Sequence, residues 1–153
     1  MASLSRSALR EHIFKIVFTY GFGKNGETCD DTGLKDKIEL YLDHVTDEKD
    51  EPVFISEADR DHILEKSLKI SEKSRETDAL ITRYAEGWVF DRIGKAELGI
   101  LRLSIYEILF DDDIPQNVAI DEAVELAKKY GDEQAPGFIN GILSSVAKEA
   151  DKA

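Results

Sequence analysis

WVFDRIGKAELGILRLSIYEILF, residues 88–110, is the stretch on which the fold turns. A short turn ends near Gly94, and beyond it Leu98, Leu101, Ile105 and Ile108 recur at three- and four-residue spacing, so they share one helical face. Most positions between them are apolar too. A helix apolar on nearly every side needs neighbours on every side, which puts it at the centre of a helical bundle. Arg102 interrupts it, either to pair with one of the chain's many carboxylates or to reach a phosphate from the bundle's edge.

The surrounding chain keeps to the helical period. DDDIPQNVA is a loop, because Pro115 disfavours helix at Ile114. A helix is then expected from Asp121, with Asp121 as its cap and Glu122 in the first turn beside the positive helix end. Lys128 and Lys129 complement the other end, and Gly131 is expected to close it in a left-handed conformation. DEQAPGFINGILSSVAKEA supplies a last helix beginning near Pro136.

Upstream, Ser56 with Asp59 forms an approximate capping box opening a pattern that runs through Ile63, Leu64, Leu68, Ile70, Leu80, Ile81 and Tyr84. Its polar middle, SEKSRETD, is a place for a kink or a break. TGLKDKIELYLDHV carries Leu34, Ile38, Tyr41, Leu42 and Val45 at helical spacing, and GKNGETCDD before it reads as a loop. LSRSALREHIFKIVFTYGFG is amphipathic through Leu9, Ile13, Ile16, Val17 and Tyr20, with Ser5 or Ser7 to cap it and Gly21 or Gly23 to stop it. Arg6, Arg10 and Lys15 are expected off its apolar face. No repeat, low-complexity tract or strand pattern appears, so the fold is all-α with about seven helices.

The 153 residues suit one domain with a core of its own. Hydrophobic residues at 42% and charged residues at 34% describe a globular chain and exclude a disordered one. No run approaches the roughly 20 apolar residues of a membrane span, and no apolar leader precedes Arg10, so a cytoplasmic protein is expected. The net charge of −12 argues against a general nucleic-acid surface. That total is uneven: residues 1–20 set Arg6, Arg10 and Lys15 against Glu11 alone. The first helix is the basic end of an acidic body.

Catalytic patterns find little support. Asp121, Glu122 and Glu125 are accounted for as a cap and first-turn charge, and Asp111, Asp112 and Asp113 lack the glycine-turned loop of a calcium site. His12, His44 and His62 form no HExxH motif and no paired Glu-x-x-His motif, and Asp59 with His62 is a single helical pair. Cys29 sits in an acidic loop with no base beside it, which makes a poor nucleophile. Tyr130, Phe138, Phe14 and Phe18 lie near helix ends or off the main stripe, where aromatics either pack into a core or stack on unpaired bases.

Taken together, ILRLSIYEI, DIPQNVAIDEAVELAKKYG and GFINGILSSVAKE resemble the ILR-L-x-YE, P-x-x-VAINEAVELAK-x-Y and FVNGVL runs of the NusB family at matching spacings. SRSALREHIFKIVF is similar to that family's basic N-terminal motif. The resemblance covers nearly the whole chain. It implies a single NusB-like domain of two helical subdomains, about 4–86 and 87–150, with no catalysis and no cofactor. It further implies a transcription antitermination factor that binds single-stranded boxA RNA with NusE, the ribosomal small-subunit protein, within the RNA polymerase antitermination complex of ribosomal RNA operons. By position, Arg6, Arg10, Arg102, Gln116, Tyr130, Phe138 and Asn140 match the family's RNA-facing residues, and Phe18 and Glu97 its NusE-facing side. Both monomers and homodimers are expected of such a family. Ser7 and Ala8 stand where Arg or Lys is common, so weak intrinsic RNA binding is expected, each phosphate contact adding about 0.7 to the salt slope. The competing expectation is a NusB-like protein-interaction module with little RNA binding of its own.

Overall fold

The computed structural model describes residues 4–20, 31–85 and 93–151. Cys29, most of the GKNGETCDD loop, Gly21, Gly23, Trp88 and the subdomain boundary expected at residues 86 and 87 lie outside them. The described residues form seven helices, α1 (Arg6–Tyr20), α2 (Asp31–Asp43), α3 (Glu57–Glu72), α4 (Ser74–Tyr84), α5 (Lys95–Phe110), α6 (Gln116–Tyr130) and α7 (Ala135–Asp151), and no strand. One antiparallel bridge, Thr46 with Pro52, closes the turn between α2 and α3.

The apolar helix read from residues 95–110 is the axis of the bundle. Every residue of α5 from Gly99 to Ile108 is buried. It packs against α1, α6 and α7, and more lightly against α4 and α3, while α2 lies on α3 and α1. Ile100, Leu101, Leu103 and Ile105 are wholly inside, with Ile13, Ile16, Ile63, Ile81, Ile139 and Leu143 closing around them from the other helices. No helix of the described residues is long and apolar enough to cross a membrane.

The polar middle of the 56–84 pattern is a true break. Lys73 (φ −97°, ψ 6°) is at once the C-cap of α3 and the residue before α4. Ser56 caps α3 by accepting from the Asp59 amide at 3.2 Å, but Asp59 does not return the bond. Its carboxylate instead accepts from the Leu4 amide at 2.9 Å, which ties the chain ahead of α1 to α3.

Two helix ends differ from the sequence expectation. Helix α6 begins at Gln116, not Asp121, with Pro115 at the cap position (φ −60°, ψ 144°) and no capping side chain. Proline's fixed φ leads into a helix, and its missing N–H is one that would go unbonded there anyway. Asp121 is therefore an exposed second-turn residue. Gly131 ends α6 in an extended conformation (φ −92°, ψ 178°) rather than a left-handed one. What requires glycine there is space: a Cβ would lie 2.5 Å from Ala135 Cβ and 2.9 Å from the Ala127 carbonyl oxygen. The chain turns within three residues, Asp132 accepting from the amide of Gln134 at 2.9 Å, and α7 starts at Ala135.

Candidate nucleic-acid interface

Helix α1 presents Ile13, Phe14 and Val17 to the core, and Arg10 lies one turn earlier on the same face. It is 5% exposed, not off the apolar face as expected. The reason is Glu107, a carboxylate in the middle of α5 with no exposure at all. Arg10 Nε donates to Glu107 Oε1 and Oε2 at 3.0 and 3.1 Å, and Nη2 donates to Oε2 at 2.9 Å. Such a fork-on-carboxylate pair is the arrangement a buried guanidinium needs. Lys66 of α3 joins it, its Nζ 2.8 Å from Glu107 Oε2 and 3.1 Å from Asp111 Oδ2.

Arg102 is also inside, 2% exposed, with Nε and Nη2 each 2.8 Å from an oxygen of Asp78 on α4. Of the two roles open to it from the sequence, the intramolecular pair is the one it makes. Both guanidinium groups are held by carboxylates of this chain. Arg6, the first residue of α1, remains at the surface.

The other expected contact residues lie at the ends of α6 and the start of α7. Gln116 opens α6 half-buried, and Asn140 is exposed in the second turn of α7. Tyr130 closes α6 and turns towards α1, its hydroxyl donating to Glu11 and its ring centroid 4.9 Å from that of Phe14. Phe138, partly buried, lines a cleft of about 440 Å³ with Ile93, Gly94, Glu97, Asp132, Gln134 and Ala135. Glu97 is the third residue of α5, where a capping-box glutamate folds back over the helix start. A Cβ on Gly94 would collide with its Oε2, and one on Gly131 would come within 3.2 Å of its Oε1. The carboxylate is thus wedged between two glycines.

Phe18 is 41% exposed, with the Lys95 ammonium 5.9 Å from its ring centroid and the Phe14 ring at 6.0 Å. Phe14 therefore neighbours both Phe18 and Tyr130. The structure brings Glu97 and Phe138 into one cleft and Phe18 and Tyr130 onto one buried ring. It turns Arg10 and Arg102 inward. The groove between α1 and α6 is of mixed charge, lined by Glu11, Glu122 and Glu125 together with Lys128 and Lys129.

The 7–148 segment matches the model of the NusB family. The chain belongs to the NusB family. It is 42% identical to the Transcription antitermination protein NusB of Agathobacter rectalis, over 94% of this chain and the whole of that one. Identity to the NusB protein of Clostridium tetani is 39%, covering 95% of this chain and 99% of its relative. The solved structure of T. maritima NusB superposes with a TM-score of 0.76 at 34% identity, covering 97% of this chain and 94% of that one. The all-α fold of this NusB-family chain is the fold of its solved relative, and its relatives are named for transcription antitermination. Among the described residues no group of three or more His, Cys, Asp and Glu side chains could hold a metal ion. His12 is hydrogen-bonded to the Tyr41 hydroxyl at 2.9 Å.

Sequence reasoning missed Lys66, Glu107 and Glu11. Glu107 carried a signal, a carboxylate in the middle of an apolar helix, but its partner lies 97 residues away in the chain. Glu11 carried none. Its carboxylate holds Lys129 at 2.6 Å and the Tyr130 hydroxyl, fastening α1 to the end of α6. Burial raises the Glu11 pKa, yet hydrogen bonds from Lys129 and Tyr130 outweigh it and bring the carboxyl below its ordinary 4.5. Burial and the Glu11 bond push Tyr130 up to about 12, so its hydroxyl stays a donor. A depressed carboxyl stabilises the fold above its unfolded-state pKa, and that contribution is lost as pH falls through the folded value. Glu11→Gln is therefore expected to lower the thermal midpoint at pH 7, with the gap from the unaltered protein closing as pH falls below about 4.5. Paired melting curves across that range check it, and a pH-independent gap would refute the clamp.

Proposed function

We propose that this NusB-family chain is a transcription antitermination factor that binds single-stranded boxA RNA together with NusE, and supports RNA polymerase processivity in ribosomal RNA operons. The observation that carries the reading is the cleft at the start of α7, lined by Phe138 and Glu97. An aromatic side chain lining a cleft suits an unpaired base, stacking being worth about 1–3 kcal/mol per base. Arg6, Gln116, Tyr130, Phe138 and Asn140 are the proposed RNA contacts, and Phe18 with Glu97 the proposed NusE contacts. Arg10 and Arg102, also expected to face RNA, act in this reading by holding the helices that carry those contacts. Such a role belongs to the cytoplasm, where transcription takes place.

With both buried arginines removed from the phosphate-contacting set, the chain's own cationic surface is small. NusE then supplies much of the positive charge. Titration of a boxA-containing RNA oligonucleotide is expected to give weak binding with a shallow salt dependence by this protein alone, and much tighter binding that falls more steeply with salt when NusE is present. Equal and negligible binding in the two conditions would refute the reading.

The inward turn of Arg10 and Arg102 favours one second reading, a NusB-like interaction module with little RNA binding of its own. Arg6→Glu separates the two. The first reading requires weaker RNA binding by a folded protein, and the second requires no change. Arg10→Glu would confound the comparison, since it sets a second carboxylate against Glu107 inside the bundle.

A further inference from the structure

The proposed RNA contacts come from distant parts of the sequence, Arg6 on α1 and Gln116 on α6. A run of four charges, three of them buried, connects their neighbourhoods. Asp111, at the start of the loop that leads to Gln116, shapes that loop with its carboxylate and carbonyl: Oδ1 accepts from the Asp113 amide at 3.1 Å and its carbonyl from the Ile114 amide at 3.2 Å. Its Oδ2 holds Lys66 at 3.1 Å. Lys66 reaches Glu107 at 2.8 Å, and Glu107 takes Arg10, one turn along α1 from Arg6. A second branch returns to α6, because Glu122 Oε1 lies 2.8 Å from the Ser7 hydroxyl and 3.7 Å from Arg10 Nη1.

We infer that the run Asp111–Lys66–Glu107–Arg10 is a positioning network that sets the α5–α6 loop and the first turn of α1 in one register, so that Gln116 and Arg6 meet the same RNA strand. This rests on the RNA-binding reading above. The physical argument is one of direction. Apolar packing around α5 tolerates small slides and rotations of α1 and α3, since many arrangements bury similar area. Directed bonds from two cations to one wholly buried carboxylate do not, because each displacement leaves a charge unpaired in a dry interior. Buried ion networks often add little net stability over an apolar replacement, so their distinctive contribution here is geometric.

Asp111 and Lys66 allow a test that leaves the Arg10–Glu107 pair in place. Asp111 is 19% exposed, so Asp111→Asn keeps an oxygen for the Asp113 amide and removes only the charge facing Lys66. Lys66→Met keeps an apolar stem of similar length and leaves Arg10 on Glu107. The probe is a boxA-containing single-stranded RNA titrated with the full chain and NusE over a salt series. Both variants are expected to melt within a few degrees of the unaltered protein and to bind about tenfold more weakly, with the salt slope unchanged. Arg6→Gln is expected instead to reduce that slope by about 0.7, the signature of a lost phosphate contact. Arg6→Gln should also lose less affinity in the Asp111→Asn background than alone, since a loop already out of register leaves less to lose.

Unaltered affinity in both folded variants would overturn the inference, as would a slope reduced like that of Arg6→Gln. A large fall in melting temperature for Asp111→Asn would also overturn it, by assigning the network to stability. If the unaltered protein with NusE fails to bind the RNA, the functional reading falls and takes this inference with it.

Discussion

Glu107→Ala is expected to destabilise the protein by about 3–5 kcal/mol, the cost of leaving buried cations without their carboxylate. Glu107 has no exposure, and it accepts from Arg10 through three hydrogen bonds and from Lys66 through a fourth. Arg10 is 5% and Lys66 8% exposed, so water cannot take over the lost bonds without the bundle opening. Lys66 retains Asp111, which spares it full isolation, and Arg10 retains only the longer approach to Glu122. For a domain of this size each kcal/mol moves the midpoint by about 2–4 °C, so a fall on the order of ten degrees should appear in a thermal melt. Urea unfolding gives the free energy directly. A cost below about 1 kcal/mol would mean that the network is solvated, since exposed pairs contribute that little.

Phe14→Ala is the second large effect, about 3–5 kcal/mol from lost transfer energy and the cavity left behind. The ring is 2% exposed and sits where three helices meet: Tyr130 of α6 lies 4.9 Å away between centroids, Phe18 6.0 Å along α1, and a Cβ on Gly99 of α5 would lie 3.3 Å from its edge. No small side chain can fill that volume without drawing α1 onto α5. Phe14→Leu, which keeps most of the volume, is expected to cost less than half as much. A loss equal to that of Phe14→Ala would show that ring contacts, rather than volume, hold the joint. Because Tyr130 and Phe18 both lean on this ring, Phe14→Ala should also weaken binding of RNA and of NusE together, which separate titrations can resolve.

The architecture was legible because it depends on period. Leu98, Leu101, Ile105 and Ile108 named the central helix, and the polar tract around Lys73 named the α3–α4 break. Helix ends were less legible where proline or close packing replaces a capping side chain. Asp121 looked like a cap because it is a good one, yet Pro115 starts α6 five residues earlier without any side-chain bond. Gly131 looked left-handed because glycines after helices often are, while its actual constraint is Ala135 and Glu97 crowding its missing Cβ. The candidate site was half legible. Family motifs indicated which residues to examine, but whether an arginine faces water depends on a partner far along the chain. Arg10 shares a face with Ile13 and Val17, and only the fold shows that Glu107 waits opposite it.

The glycine-flanked seat of Glu97 has a consequence for association. Gly94 and Gly131 allow the α5 start and the α6–α7 corner to close on one carboxylate, so the described residues of the cleft bearing Phe138 sit at or next to helix ends. Its shape exists before any partner arrives. Immobilising a side chain on binding costs about 0.5–1.5 kcal/mol, and a cleft already set in place avoids much of that charge. Its partners are then expected to dock by rigid fit, with affinity changes among cleft variants showing mainly in how long the complex lasts.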